Sequence, residues 1–111
     1  MNLEAMVTNL VDNALKFTSD GGWVRCTLAT FAGTARIEIA DNGLGIPKPE
    51  QGNLFVRFFR SSTAKEHAIQ GTGLGLTIVD SIVRSHGGDI SVDSDHLRGS
   101  AFTVTLPLWT R

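Results

Sequence analysis

The sequence predicts an α/β fold: a two-layer α/β sandwich in which a mixed, mostly antiparallel sheet is covered by helices on one face. Three observations lead there. Apolar residues recur at helical spacing in two separated segments, 3–17 and 74–86. Four strand-like segments come as two adjacent pairs, each joined by a short turn, which suits hairpins and not the crossovers of a parallel sheet. With 111 residues, 41% of them hydrophobic, the chain fills one domain, 1–111, around a single core.

The first helix is carried by Leu3, Met6, Val7, Leu10, Val11, Ala14, Leu15 and Phe17, three or four residues apart. Asp20-Gly21-Gly22 supplies the turn chemistry that ends it. Strands follow at 23–30 and 34–40, joined by Phe31-Ala32-Gly33. In the second, Ala35, Ile37 and Ile39 alternate with Thr34, Arg36 and Glu38, the pattern of a sheet with one wet face. Cys26, alone in the first strand, reads as a small buried side chain. Residues 41–72 have no sustained periodicity, and irregular stretches of that length are more often binding loops or lids than connectors. Helical spacing returns through Leu74, Leu76, Ile78, Val79, Ile82 and Val83, closed by Gly87-Gly88. Strands at 89–94 and 100–106 complete the chain around a turn at 96–99.

Composition removes several classes of function. Ten Lys+Arg against eleven Asp+Glu leave a net charge of −1, whereas a chain that wraps nucleic acid carries a basic footprint. One cysteine permits neither a disulfide framework nor a C-x-x-C knuckle. No apolar run approaches the ~20 residues of a membrane span. The start, MNLEAMVTNL, lacks the form of a signal peptide, so a cytoplasmic setting without membrane contact is expected.

Four clusters could carry chemistry. In the first, Asn9 and Asn13 stack at i, i+4 with Lys16 near the same line. Carboxamides are neutral oxygen ligands and lysine a point charge for phosphate; a solvated polar face is an equally good reading of this cluster alone. The second is Asp41-Asn42-Gly43-Leu44-Gly45-Ile46-Pro47, in which a strand-end carboxylate could accept from a base amine such as that of adenine. Gly43 and Gly45 would let backbone approach a flat ligand, although a plain turn fits the local residues too. The third, Gly71-Thr72-Gly73-Leu74-Gly75-Leu76, runs into a helix, where amide N–H groups and the positive dipole end favour phosphate. Its spacing is neither the dinucleotide fingerprint nor a P-loop. The fourth places Phe55, Phe58 and Phe59 beside Arg57 and Arg60. Loop anchoring is the favoured role, with Arg60 able to reach a phosphate. His67, His86 and His96 are scattered without metal-ligand spacing. Jointly the clusters could supply the parts of one ATP–Mg²⁺ pocket.

In order and spacing these motifs resemble the ATP-binding catalytic domain of sensor histidine kinases, in the GHKL superfamily with its Bergerat-type fold. NLVDNALKFT is similar to that family's N box, DNGLGIP to its first glycine box, LFVRFFR to its F box and QGTGLGL to its second glycine box. SHGGDI and RGSAFTVTLPL resemble its last helix and closing hairpin. The resemblance implies that Asn13 ligates Mg²⁺, assisted by Asn9 and Gln70, and that Lys16 and Arg60 contact phosphate oxygens. Asp41 would accept from the adenine amino group in a pocket shaped by Gly43, Gly45 and Ile46. Gly71, Thr72, Gly73, Leu74 and Gly75 would form the lid hinge and phosphate cradle, with 60–70 as the ATP lid.

The implied activity is transfer of the γ-phosphoryl group from Mg-ATP to a histidine on a dimerisation and acceptor domain, and onward to a response regulator. Hydrolysing relatives carry a glutamate where this chain has Asn9, which cannot act as a base, so transfer is expected in place of hydrolysis. Alternatives are a serine kinase of the anti-sigma type in the same superfamily, or a non-catalytic nucleotide-binding or protein-interaction module. The chain departs from the family at Gln51-Gly52, where an apolar residue is usual. It also lacks the family's preceding strand and the acceptor-histidine domain, so it is expected to be a fragment or a separately encoded subunit.

Overall fold

The computed structural model describes residues 3–55, 75–95 and 98–108. Helix α1 (Leu3–Phe17) leads to β1 (Val24–Phe31) and β2 (Thr34–Asp41). A short 3-10 helix (Lys48–Asn53) follows, then α2 (Gly75–Ser85), β3 (Asp89–Asp95) and β4 (Gly99–Pro107). The strands form one sheet in the order β1-β2-β4-β3, and each pairing is antiparallel.

The helices bury the middle of the stripes that their spacing predicts, while Leu3, Leu15 and Ile78 at the stripe edges are exposed. Met6, Leu10 and Ala14 of α1 pack with Val79, Ile82 and Val83 of α2 above the sheet. Burying each of the larger side chains contributes roughly 1.5–3 kcal/mol. Gly87 N donates to Arg84 O (3.0 Å) and Gly88 N to Val83 O (3.0 Å), satisfying carbonyls at the end of α2. The sheet meets the helices with rows of side chains set by register: Ile39–Phe102–Val92 and, next to it, Ile37–Val104–Ile90. Ile39, Phe102 and Val104 are buried in the core.

Two expectations change. The stretch that lacks periodicity contains an ordered turn of 3-10 helix at Lys48–Asn53, too short to register as a repeat. Cys26 is exposed, not buried. It pairs with buried Ile39, but β1 is an edge strand, and beyond Val24 every residue of it is exposed, including Leu28 and Phe31. The helical layer sits chiefly over the neighbours of β1, so its residues beyond Val24 are left uncovered.

Candidate functional site

One row of the inner sheet face breaks the apolar pattern. Past Ile39, Phe102 and Val92, the next inward positions on β2, β4 and β3 are Asp41, Ser100 and Ser94, aligned across the three strands. Asp41 is only 6% exposed, so its carboxyl is a buried acid at the end of the core. Burial pushes its pKa above the ordinary 3.8, while hydrogen bonds from the backbone N–H groups of Gly43 and Ser100 pull it back. The Gly43 bond, to Asp41 Oδ1, is 2.8 Å long.

The loop after Asp41 is fastened at both sides. Asn42 Oδ1 accepts from the backbone N–H of Trp23 (2.8 Å), and Leu44 N donates to Phe17 O (3.0 Å). Gly43 sits so close to the end of α1 that a Cβ there would run into the Phe17 carbonyl. The carboxyl of Asp41 therefore lies beside the last turn of α1. Asn13 is one turn before Phe17 on that helix and Asn9 one turn before Asn13, so the three share a flank about 12 Å long.

At the other end of this flank, Asn9 Nδ2 donates to Ala5 O (2.8 Å), which turns Oδ1 away from its own helix. A Cβ on Gly75, the first residue of α2, would stand 3.4 Å from that oxygen. The structure thus brings together Asp41, Gly43, Asn9, Asn13 and Gly75 along one side of α1. Gly45 and Ile46 are buried on the same loop. Lys16 pairs with Asp12 on the helix surface (3.0 Å), an exposed ion pair worth little to stability. Arg57, Phe58, Phe59, Arg60, Gln70, Gly71, Thr72, Gly73, Leu74, the 60–70 segment, His67 and His96 lie outside the described residues. Among the described residues no three His, Cys, Asp or Glu side chains gather as a metal-binding group. A divalent ion here would rely on carboxamide and phosphate oxygens, and an outward-facing Asn9 Oδ1 suits that role.

Sequence reasoning missed the polar brace behind the loop. Ser94 Oγ donates to Gly99 O (2.8 Å), accepts from the backbone N–H of Ile46 (2.9 Å) and lies 2.8 Å from Ser100 Oγ. Gln51 Nε2 donates to both Ile46 O (3.0 Å) and Ser94 O (2.8 Å). The link that lacks an apolar residue at position 51 is therefore held by hydrogen bonds, with Leu54 buried just beyond. A signal for Ser94 was present: it occupies an inward position two residues after Val92 and four after Ile90, where alternation calls for an apolar side chain. No helix among the described residues is long and apolar enough to cross a membrane.

Comparison with known proteins gives relatives in sequence and in fold. Residues 1–110 match the family model described as histidine kinase-, DNA gyrase B- and HSP90-like ATPase. Sensor histidine kinase RcsC of Escherichia coli is 41% identical over 109 residues, covering 98% of this chain but 11% of its own length. Among solved structures, the mycobacterial sensor histidine kinase MprB superposes with a TM-score of 0.84 at 39% identity, covering 93% of this chain and 70% of that one. Full-length ShkA in complex with AMPPNP superposes with a TM-score of 0.81 at 29% identity, covering 98% of this chain and 22% of that one.

Proposed function

The chain belongs to the histidine kinase-, DNA gyrase B- and HSP90-like ATPase family, and from that premise we propose that it binds Mg-ATP along α1 and transfers the γ-phosphoryl group to a histidine of an acceptor domain. A response regulator is then the next recipient, and the domain works in the cytoplasm. The observation that carries the reading is the placement of a buried acceptor, Asp41, and the outward carboxamide oxygen of Asn9 at the two ends of one helix flank. A nucleotide has the same polarity, with a base to be recognised at one end and anionic oxygens with a cation at the other. ShkA, a structural relative, is described in complex with the ATP analogue AMPPNP.

Asp41 in its ionised form accepts from the exocyclic amine of adenine, with Gly43, Gly45 and Ile46 shaping the slot around the ring. Asn13 and Asn9, with Gln70, would hold Mg²⁺, which when bound offsets phosphate charge. Lys16 and Arg60 reach phosphate oxygens, and for Lys16 this means leaving Asp12. The backbone N–H groups of Gly71, Thr72, Gly73, Leu74 and Gly75 would cradle the phosphates, and of these Gly75 is the first residue of α2. Residues 60–70 act as the lid that closes over them. In the transfer an imidazole nitrogen forms a bond to the γ-phosphorus as the bond to the β,γ-bridging oxygen breaks; ADP leaves and the imidazole proton passes to solvent or to a base of the acceptor domain. Asn9 cannot activate water, which favours transfer over hydrolysis.

The test combines binding and product chemistry. Calorimetry is expected to detect Mg-ATP binding by the wild type and a large loss of affinity in Asp41→Asn. Folded wild type that binds no ATP, or equal affinity in both proteins, overturns the reading. With an acceptor domain supplied, the phosphate label is expected to be acid-labile, as phosphohistidine is; an acid-stable product points to serine instead.

A further inference from the structure

The nucleotide slot described above borrows one wall from a distant hairpin. Ile46 sits on the loop after β2, yet both of its backbone polar groups are held by β3 or by Gln51. Its N–H donates to Ser94 Oγ (2.9 Å), and its carbonyl accepts from Gln51 Nε2 (3.0 Å). The same Gln51 amide donates to the Ser94 carbonyl (2.8 Å), so the two side chains close a ring through Ile46 and the backbone of residue 94. The ring continues into the sheet. Ser94 Oγ–H is given to Gly99 O, which leaves the Ser94 oxygen to accept the hydrogen of Ser100 Oγ.

Ser100 in turn donates its backbone N–H to Asp41. The brace therefore ties together the acid at the back of the slot and the residue at its side. Ser94 is 3% exposed and Ile46 4% exposed, so neither group can exchange these partners for water without opening the core. Lys48, at the start of the 3-10 helix, also reaches Asp95 (3.6 Å), seating that helix on the hairpin.

We infer that Ser94 and Gln51 are positioning residues for the purine base: they set where Ile46 stands relative to the Asp41 carboxyl and so govern recognition of the base without touching the phosphates. This rests on the Mg-ATP reading of the site. The Asn9 and Gly75 end of the flank has no hydrogen bond to the brace among the described residues, so the two ends of the nucleotide should respond separately.

The experiment measures binding of three probes to the chain: Mg-ATP, adenosine (base and sugar alone) and Mg²⁺-tripolyphosphate (the phosphate end alone). In Ser94→Ala, affinity for ATP and adenosine is expected to fall about tenfold, as loss of one buried hydrogen-bond partner commonly costs. Affinity for tripolyphosphate is expected to stay at the wild-type value. Gln51→Leu, at a half-buried position, is expected to show the same split and serves if Ser94→Ala does not fold. Unchanged ATP and adenosine affinity in a folded variant overturns the inference, and so does a parallel loss for all three probes. Failure of both variants to fold overturns it too, because the residues would then hold the domain and not the slot. A folded wild type that binds neither ATP nor adenosine instead overturns the underlying reading of the site.

Discussion

Gly99 lies directly against the backbone of Asp41: a Cβ at position 99 would collide with the Asp41 carbonyl oxygen and crowd the Cα of Asn42. The contact exists because β4 begins where β2 ends, and Gly99 holds a φ of +106° that an L side chain rarely adopts. The buried acid is thus seated by a glycine 58 positions further along the chain. Gly99→Ala is expected to combine the strain of that φ with a steric clash and to destabilise the domain by about 2–4 kcal/mol. Denaturant melts check this directly, and a variant as stable as wild type would show that the hairpin is free to move away.

For Asp41→Asn, stability and binding should move apart. A carboxyl whose pKa is raised on folding binds its proton more tightly in the folded chain than in the unfolded one. Its favourable contribution is complete below the ordinary value of 3.8 and is lost as pH rises through the folded pKa. At neutral pH the ionised Asp41 is therefore a cost, and Asn removes it while keeping an oxygen for the backbone N–H groups. The variant is expected to melt within about 1 kcal/mol of wild type at neutral pH. The difference between the two should shift in favour of wild type as pH falls. ATP affinity of the wild type should weaken as pH falls, because the ionised carboxylate accepts from the base amine more strongly than the protonated acid does. Parallel melting and titration series at several pH values would expose any other ordering.

Asn9→Ala removes an oxygen that faces the start of α2, together with a local bond to Ala5 O. Stability should change by less than about 1 kcal/mol, since the side chain is only half-buried and alanine is the better helix former. Affinity for ATP measured at saturating Mg²⁺ is expected to drop about tenfold, with a smaller loss when Mg²⁺ is chelated. Equal losses with and without the cation would remove Asn9 from the metal-binding set.

In the core, Leu10→Ala deletes a side chain that is 1% exposed and packed between the two helices and the sheet. A loss of about 2–5 kcal/mol is expected from the transfer and cavity terms together. Chemical denaturation of the pair gives the number.

Cys26 should behave as a surface thiol. In the native protein one equivalent is expected to react with a disulfide reagent, and at a rate that denaturant changes little. Protection in the folded state, released only on unfolding, would mean that another segment covers the inner side of β1.

Much of the fold was legible because its signals are local. Helix α1 occupies Leu3–Phe17, the span its periodicity predicts, and each hairpin turn announces itself by a glycine between strand-like segments. The edge position of β1 was not legible, since alternation in a strand says which residues share a face but not whether anything lies over it. The 3-10 helix at Lys48–Asn53 is shorter than the window that periodicity needs.

The site divides the same way. Asp41, Asn9, Asn13 and the glycines could be named from the sequence because each belongs to a short run with its own chemistry. The partners of Ser94 and Gln51 could not, because their bonds join residues 48 and 43 positions apart, even though the break in alternation marks Ser94 itself. By itself, then, the sequence determined the elements, the hairpin pairing and the groups able to meet a nucleotide, all through contacts of a few residues' range. Only the tertiary structure decided that a serine on β3 and a glutamine on a 3-10 helix brace the loop after Asp41. Register across the sheet and the docking of that helix place these polar atoms within 3.0 Å of one another, and no local pattern encodes such a distance.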